Sequence, residues 1–79
     1  PDIYGYECLN ENGWGYRNLK GKVLLNQVYA YVKGLPNGAI IFRVVGGYGL
    51  YNSQGKLVVP ANYQRIETDR MHSFYFLYN

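Results

Sequence analysis

The sequence from residue 13 to residue 25 reads GWGYRNLKGKVLL, and it returns from residue 47 to residue 59 as GYGLYNSQGKLVV. The offset is 34 residues and needs no gap. Seven residue pairs are identical at this offset: Gly13/Gly47, Gly15/Gly49, Asn18/Asn52, Gly21/Gly55, Lys22/Lys56, Tyr29/Tyr63 and Phe42/Phe76. A fixed period of this length predicts a repeat architecture, in which each copy buries its apolar face against its neighbour.

Each copy combines an aromatic-glycine core with a turn that ends in Gly-Lys, a short apolar strand and a later tyrosine. The second copy also has Pro60 after its strand, where the first copy has Asn26. This pattern resembles the WG repeat found in many bacterial proteins, from about Gly13 to Asn79. The resemblance implies a β-rich repeat module that mediates interactions, and it brings no catalytic or ligand-binding residues with it.

The composition favours an all-β fold. Ten tyrosines, three phenylalanines and one tryptophan accompany many β-branched residues, and ten glycines and three prolines separate short apolar runs. A single cysteine excludes an internal disulfide, and no stretch is typical of a membrane span or a signal peptide. The chain begins at Pro1, which indicates a processed product or an excised domain. A net charge of +3 permits contact with anions without requiring it.

We predict an antiparallel meander of hairpins built from two 34-residue repeats, as a small barrel-like sheet or as stacked hairpins. The 79 residues fit one domain. Within it we expect the tail strand of a preceding repeat followed by two repeats: residues 1–12, 13–46 and 47–79.

The turn residues define the predicted hairpins. Residues 10–13 form one turn, and Gly46-Gly47 forms a two-residue turn of the second hairpin. Gly21 is predicted to adopt a left-handed conformation at a tight corner. Tyr29 and Val32 are three residues apart, as are their counterparts in the second copy, which predicts a bend or a 3₁₀-like turn in both.

Three strands supply the predicted core. Nine apolar or aromatic residues at equivalent positions form its interior face: Tyr4, Tyr6, Cys8, Ile40, Phe42, Val44, Phe74, Phe76 and Tyr78. Trp14 and Tyr48 lie on the opposite face, with Tyr16 and Leu50. We expect the two bent segments to fold over that face, so that each copy forms its own satellite core and Trp14 is mostly buried. The alternative is an exposed aromatic patch, which would be the natural binding site.

No group of residues predicts catalysis. Cys8 is expected to be a small buried hydrophobe, and it could act with His72 as nucleophile and base only if the fold brought them together. Asp69, His72 and Ser73 are typical of a polar loop rather than of a triad. One histidine, one cysteine and five dispersed carboxylates show no metal-ligand spacing, so no cofactor is expected.

The function predicted is that of a non-catalytic interaction module or a structural part of a larger bacterial protein. Its partner is expected to be another protein or neighbouring repeats of the parent chain. The many aromatic residues exceed what one small core can hide, which favours a recognition surface over an enzyme. The candidate ligand-binding residues are Trp14, Tyr16, Arg17, Arg43, Tyr48 and Tyr51.

Two alternatives stay open. Aromatic-glycine repeats also resemble choline-binding repeats, which implies a cell-envelope carbohydrate-binding module, although those repeats are shorter than the period of 34 residues. A weak single-stranded nucleic-acid binder would use Tyr51, Arg17 and Arg43 and would bind with a steep dependence on salt. The modest net charge does not favour nucleic acid as the partner.

Overall fold

The structure is a computed structural model that describes residues 4–71 and 74–79. Within these ranges it has nine β-strands and no helix. The strands are β1 (Gly5–Asn10), β2 (Gly13–Asn18), β3 (Val23–Tyr29), β4 (Tyr31–Gly34), β5 (Ile40–Val44), β6 (Gly47–Tyr51), β7 (Leu57–Tyr63), β8 (Arg65–Thr68) and β9 (Tyr75–Tyr78). All the pairings are antiparallel, which confirms the predicted all-β hairpin fold. The described residues include no helix that is long and apolar enough to cross a membrane.

The strands form three sheets, of order β1-β2-β3, β4-β5-β6-β7 and β8-β9. A bend at Ala30 separates the first sheet from the second, and a bend at Gln64 separates the second from the third. The predicted bends are therefore confirmed, without a 3₁₀ turn. Over the described parts of the chain the hairpins form successive sheets rather than a closed barrel.

The pairing of β2 with β3 recurs in the pairing of β6 with β7. The first ladder joins Trp14 to Tyr29 and Tyr16 to Leu25. The second joins residues that lie 34 positions later in each case: Tyr48 to Tyr63 and Leu50 to Val59. The register predicted from the sequence repeat thus holds across these four strands. The division of the chain at residues 12 and 46 stays a prediction.

The turn between β5 and β6 lies one residue earlier than predicted. Its two residues are Val45 and Gly46, since Val44 pairs with Gly47. Gly47 belongs to β6 because it has a φ of 138° and lies against β7, where an added Cβ would be 2.7 Å from the Tyr63 carbonyl oxygen. The prediction of a left-handed residue at Gly21 is confirmed by its φ of 87°.

The interior consists of two clusters of buried side chains. The first core cluster contains Tyr16, Leu25, Val32, Ile40 and Phe42. The second core cluster contains Leu35, Ala39, Ile41, Leu50 and Ile66. The bent segments supply Val32 and Ile66, one to each cluster, which confirms the prediction that each copy has its own satellite core. Trp14 is partly buried against the first cluster, less completely than predicted.

The predicted interior face is correct in β5 and wrong in the outer strands. Ile40 and Phe42 are buried, and Val44 and Cys8 are partly buried. The other five predicted core residues are exposed: Tyr4, Tyr6, Phe74, Phe76 and Tyr78. Because β5 has a strand on each side whereas β1 and β9 each pair with one strand among the described residues, the side chains of β1 and β9 have less cover.

A shift of one residue in the register of β9 also overturns the predicted core. Val32 pairs with Phe42, whereas its counterpart Ile66 pairs with Leu77 and not with Phe76. The connection closed by the backbone amide of Leu35 reaches Ala39, and the one closed by the amide of Asp69 reaches Phe74, one residue further along the repeat. Since side chains alternate between the faces of a strand, this extra residue exchanges the two faces of β9.

Candidate functional site

Each repeat places an aromatic residue before a glycine that lies against a distorted strand. An added Cβ at Gly15 would be 2.6 Å from the Leu25 carbonyl oxygen, and at Gly49 it would be 2.7 Å from the Val59 carbonyl oxygen. Both carbonyls lie where the pairing register shifts, so the bulged strand approaches β2 or β6 too closely for a side chain. The glycine recurs in both copies because the backbone contact recurs.

Trp14 lines a cleft at the end of the β1–β2 hairpin, which we call the repeat 1 cleft. Its volume is 530 Å³, and its lining residues are Leu9, Asn10, Glu11, Asn12, Gly13, Trp14, Val28, Tyr29, Ala30, Val44 and Val45. The aliphatic side chains of Leu9, Val28 and Val45 are exposed, and they lie beside the partly buried Trp14. The cleft therefore presents an apolar wall to solvent, as interaction sites do.

A second cleft occupies the equivalent position at the end of the β5–β6 hairpin, and we call it the repeat 2 cleft. Its volume is 430 Å³, and it is lined by Arg43, Val45, Gly46, Gly47, Tyr48, Asn62 and Gln64. Every one of these residues lies 34 positions after a residue of the repeat 1 cleft. Its chemistry differs, because Arg43 replaces Leu9 and Asn62 replaces Val28. One backbone shape is thus apolar in repeat 1 and basic with amide groups in repeat 2.

Arg43 and Tyr48 form the charged part of the repeat 2 cleft. They are paired across β5 and β6, and the guanidinium carbon lies 5.7 Å from the centroid of the tyrosine ring. Among the described residues no carboxylate forms an ion pair with this exposed arginine. The edge of the Tyr31 ring meets Tyr48 at a centroid distance of 5.9 Å. Burial, followed by the proximity of Tyr48 and then Glu7, raises the pKa of the Tyr31 hydroxyl.

The structure does not place the other three candidate residues in the clefts. Tyr16 is fully buried in the first core cluster, where it supports the fold. Arg17 pairs with Val23 at the opposite end of β2 from Trp14. Tyr51 is partly buried, and its hydroxyl lies 3.0 Å from that of Tyr29. Arg43 and Tyr48 are therefore together, Trp14 lines the equivalent cleft, and the other candidates are elsewhere.

The three residues proposed for nucleic-acid binding do not form one groove. Arg43 pairs with Tyr48 near the turn of the β5–β6 hairpin, whereas Tyr51 pairs with Ile40 at its other end. Arg17 belongs to a different sheet. A basic groove that follows a nucleic-acid backbone needs adjacent cations, and these residues do not supply it.

The cysteine and histidine considered for catalysis are not brought together by anything that the structure describes. Cys8 is a partly buried free thiol on β1, opposite Gly15. His72 and Ser73 lie outside the described residues. Across residues 4–71 and 74–79, no group of three or more histidine, cysteine, aspartate or glutamate side chains could hold a metal ion.

The sequence prediction missed the side chains that give each cleft its chemistry. Leu9 and Val28 were not candidates, nor were Asn62 and Gln64. A usable signal was the substitution of residue type between equivalent positions, such as Val28 with Asn62. The segment after residue 25 was treated as irregular, so its side chains were not assigned to a face, although Val28 belongs to β3.

Comparison with known proteins identifies the repeat. Residues 48–70 match the family model described as the WG containing repeat. No curated protein and no solved structure matches the chain. The matched segment begins at Tyr48 and runs through β7 and β8, and its strand pairing is the one that recurs around Trp14 at a distance of 34 residues. The chain therefore carries the WG containing repeat.

Proposed function

We propose that this WG-repeat chain is a non-catalytic module that binds another protein through the repeat 1 and repeat 2 clefts. The observation that supports this proposal is the pair of repeat-related clefts, which are adjacent because Val45 lines both of them. Exposed aliphatic side chains beside an aromatic residue are typical of surfaces that bind proteins.

The repeat 1 cleft would accept an apolar side chain of the partner. Its volume of 530 Å³ is large enough for one such side chain, and binding would remove Leu9, Val28 and Val45 from water. Burial of apolar surface contributes about 25 cal/mol per Å². Trp14 is held by the first core cluster, so it would act as a rigid anchor that loses little side-chain entropy.

The repeat 2 cleft would bind a carboxylate or a backbone carbonyl of the same partner. Arg43 supplies a guanidinium, and the amides of Asn62 and Gln64 supply further donors. Arg43 forms no ion pair within the described chain, so its charge is available to a partner. We infer a preference for segments that place an apolar residue next to an acidic one.

A peptide selection tests this proposal. A random peptide library displayed on phage is selected against the intact chain, and the enriched peptides are measured by titration. We expect an apolar residue beside an acidic one in those peptides, and a loss of about tenfold or more in affinity with Val28→Asp. Leu19→Asp is the matched control, since Leu19 is equally exposed but lies in the turn between β2 and β3. Peptides that bind the Val28→Asp and wild-type chains equally would contradict the proposal.

Carbohydrate binding is a second candidate, supported by the polar rim of the repeat 1 cleft. Glu11 and Asn12 lie beside Trp14 in the lining, a combination that suits a sugar ring and its hydroxyl groups. Trp14 is the single tryptophan of the chain, so its fluorescence reports on this cleft. A saturable change on addition of cell-wall oligosaccharides would favour this candidate over peptide binding, and an unchanged spectrum would remove it.

A further inference from the structure

Two aromatic residues at β9 are exposed although their structural counterparts at β5 are buried. Glu67 pairs with Phe76 as Lys33 pairs with Ile41. Phe74 is likewise the counterpart of Ala39, because both carbonyls accept the hydrogen bond that closes the preceding connection. The exposed fractions are 68% for Phe74 and 48% for Phe76, against 7% for both Ala39 and Ile41.

The structure shows what covers this position in β5. Ile41 pairs with Leu50 of β6, which is 1% exposed. Ala39, Ile41 and Leu50 then pack with Ile66 of β8 in the second core cluster. The cover of β5 is therefore a hairpin that begins with a Gly-aromatic-Gly-aliphatic strand, followed by a bend and a further short strand.

The edge of β9 lacks the charged groups that protect open edges. Its sequence is YFLY, and among the described residues it pairs with β8 alone. The open edge of β4 differs, because a carboxylate oxygen of Glu7 accepts a 2.7 Å hydrogen bond from the backbone N–H of Gly34. Natural edge strands are usually charged, twisted or covered, since a bare apolar edge pairs with other strands.

We propose that Phe74, Phe76 and Tyr78, which we call the β9 face, form an interface for another hairpin of the β6–β7 type. The first strand of that hairpin would pair antiparallel with β9. By the register of β5 with β6, it would place an aliphatic residue opposite Phe76, a glycine opposite Leu77 and an aromatic residue opposite Tyr78. This interface lies on a different strand from the clefts and does not depend on the proposed function.

Arg65 and Tyr78 support the assignment of this register. The guanidinium carbon of Arg65 lies 4.3 Å from the centroid of the Tyr78 ring, and the two residues are paired across β8 and β9. The equivalent pair in the second sheet is Tyr31 and Arg43, in which the tyrosine and the arginine exchange strands. Since Arg43 packs on Tyr48 of the next strand, Tyr78 is placed to meet the aromatic residue of a docked hairpin.

A synthetic peptide of residues 45–68 provides the first test. It is added to the isotopically labelled chain, and hydrogen exchange is followed at the backbone amides of β9 by NMR. We expect exchange to slow by about tenfold or more at the amides on the open edge of β9. A Leu50→Asp peptide, or a chain with Phe76→Asp, should abolish the effect, whereas Leu19→Asp in the chain should not.

A fusion supplies the same hairpin at a high effective concentration in case the free peptide does not fold. Residues 45–68 are joined directly after Asn79, because Asn79 follows Tyr78 as Val44 follows Arg43. We expect protection of β9 in this fusion and its loss when the appended Leu50 counterpart is aspartate. The proposal is wrong if neither peptide nor fusion protects β9. It is also wrong if Phe76→Asp dissolves a self-association of the chain that the peptide cannot displace.

Discussion

The hydroxyl groups of Tyr29 and Tyr51 lie 3.0 Å apart and form a hydrogen bond between β3 and β6. Both rings also pack against Phe42, at centroid distances of 5.2 Å for Tyr29 and 4.6 Å for Tyr51. Three aromatic side chains thus join the first sheet to the second. This contact links the titration of a tyrosine to the packing of the two repeats.

The first prediction concerns alkaline pH. Burial, then the hydrogen bond to Tyr51 and the proximity of its hydroxyl, raises the pKa of Tyr29 to about 12. The unfolded chain ionises this residue near its ordinary value of about 10. The folded state therefore retains a proton that the unfolded state loses, so the free energy of unfolding should fall between these two pH values. Urea unfolding at several pH values measures this decrease.

Tyr29→Phe should reduce that alkaline dependence, because its ring has no titrating hydroxyl. At neutral pH it should cost about 1 kcal/mol through the lost hydrogen bond. Tyr6→Phe is the control, since Tyr6 is an exposed tyrosine of β1. An alkaline decrease of the same size in the Tyr29→Phe chain would contradict this assignment.

The second prediction compares the two phenylalanines that the sequence repeat aligns. Phe42→Ala should lower the free energy of unfolding by about 3–5 kcal/mol, because the side chain is 4% exposed in the first core cluster. Phe76→Ala should cost less than about 1 kcal/mol, because the side chain is 48% exposed. Chemical denaturation of both variants gives the two values. Equal losses would show that the register of β9 is not the one described.

The third prediction concerns the Asn-x-x-Gly-Lys turns. The side-chain carbonyl of Asn52 accepts 2.9 Å hydrogen bonds from the backbone amides of Gln54 and Lys56. Asn18 accepts equivalent bonds from Lys20 and Lys22. Because two amide bonds are lost, Asn52→Ala should cost about 1–2 kcal/mol. Asn26→Ala, at an exposed position of β3, is the control and should change thermal stability little.

The fourth prediction tests the close approach at the aromatic-glycine motif. A Cβ at Gly49 would lie 2.5 Å from the Phe42 ring and 2.7 Å from the Val59 carbonyl oxygen. Gly49→Ala should therefore destabilise the chain by about 1–3 kcal/mol through overpacking. At Gly46 the nearest atom, the Ala61 carbonyl oxygen, is 3.4 Å away. Gly46→Ala should be close to neutral, and calorimetric melting of both variants would distinguish the sites.

The repeat made much of the fold predictable from the sequence. The spacing of Tyr29 and Val32 predicted the bend because a straight strand would place them on opposite faces, and the same spacing recurred in the second copy. The satellite cores followed from that bend. Repeated local geometry is visible in one sequence because each copy supports the reading of the other.

The register of β9 could not be predicted in this way. Phe42 and Phe76 are identical at the repeat offset, which made them appear equivalent. One additional residue between Asp69 and Phe74 compared with the first connection reverses the faces of β9. A gap-free alignment hides such an addition, since loops tolerate extra residues that strands do not.

The clefts were less predictable than the fold. Trp14, Tyr48 and Arg43 were candidates because aromatic and arginine side chains are common in binding sites. The remaining lining depends on β3 and β7, where a bulge places Val28 and Asn62 beside the hairpin ends. A bulge arises from three-dimensional pairing, so the sequence did not show which side chains it directs into the clefts.

The bends at Ala30 and Gln64 give the molecule overlapping joints. The middle sheet takes β4 and β5 from one copy of the sequence motif and β6 and β7 from the next, while each bend carries the chain from one sheet to another. Any plane that separates the two copies would break the β5–β6 ladder, and any plane between the first two sheets would divide the first core cluster. Neither copy can therefore detach intact, and we expect both to unfold in one cooperative transition.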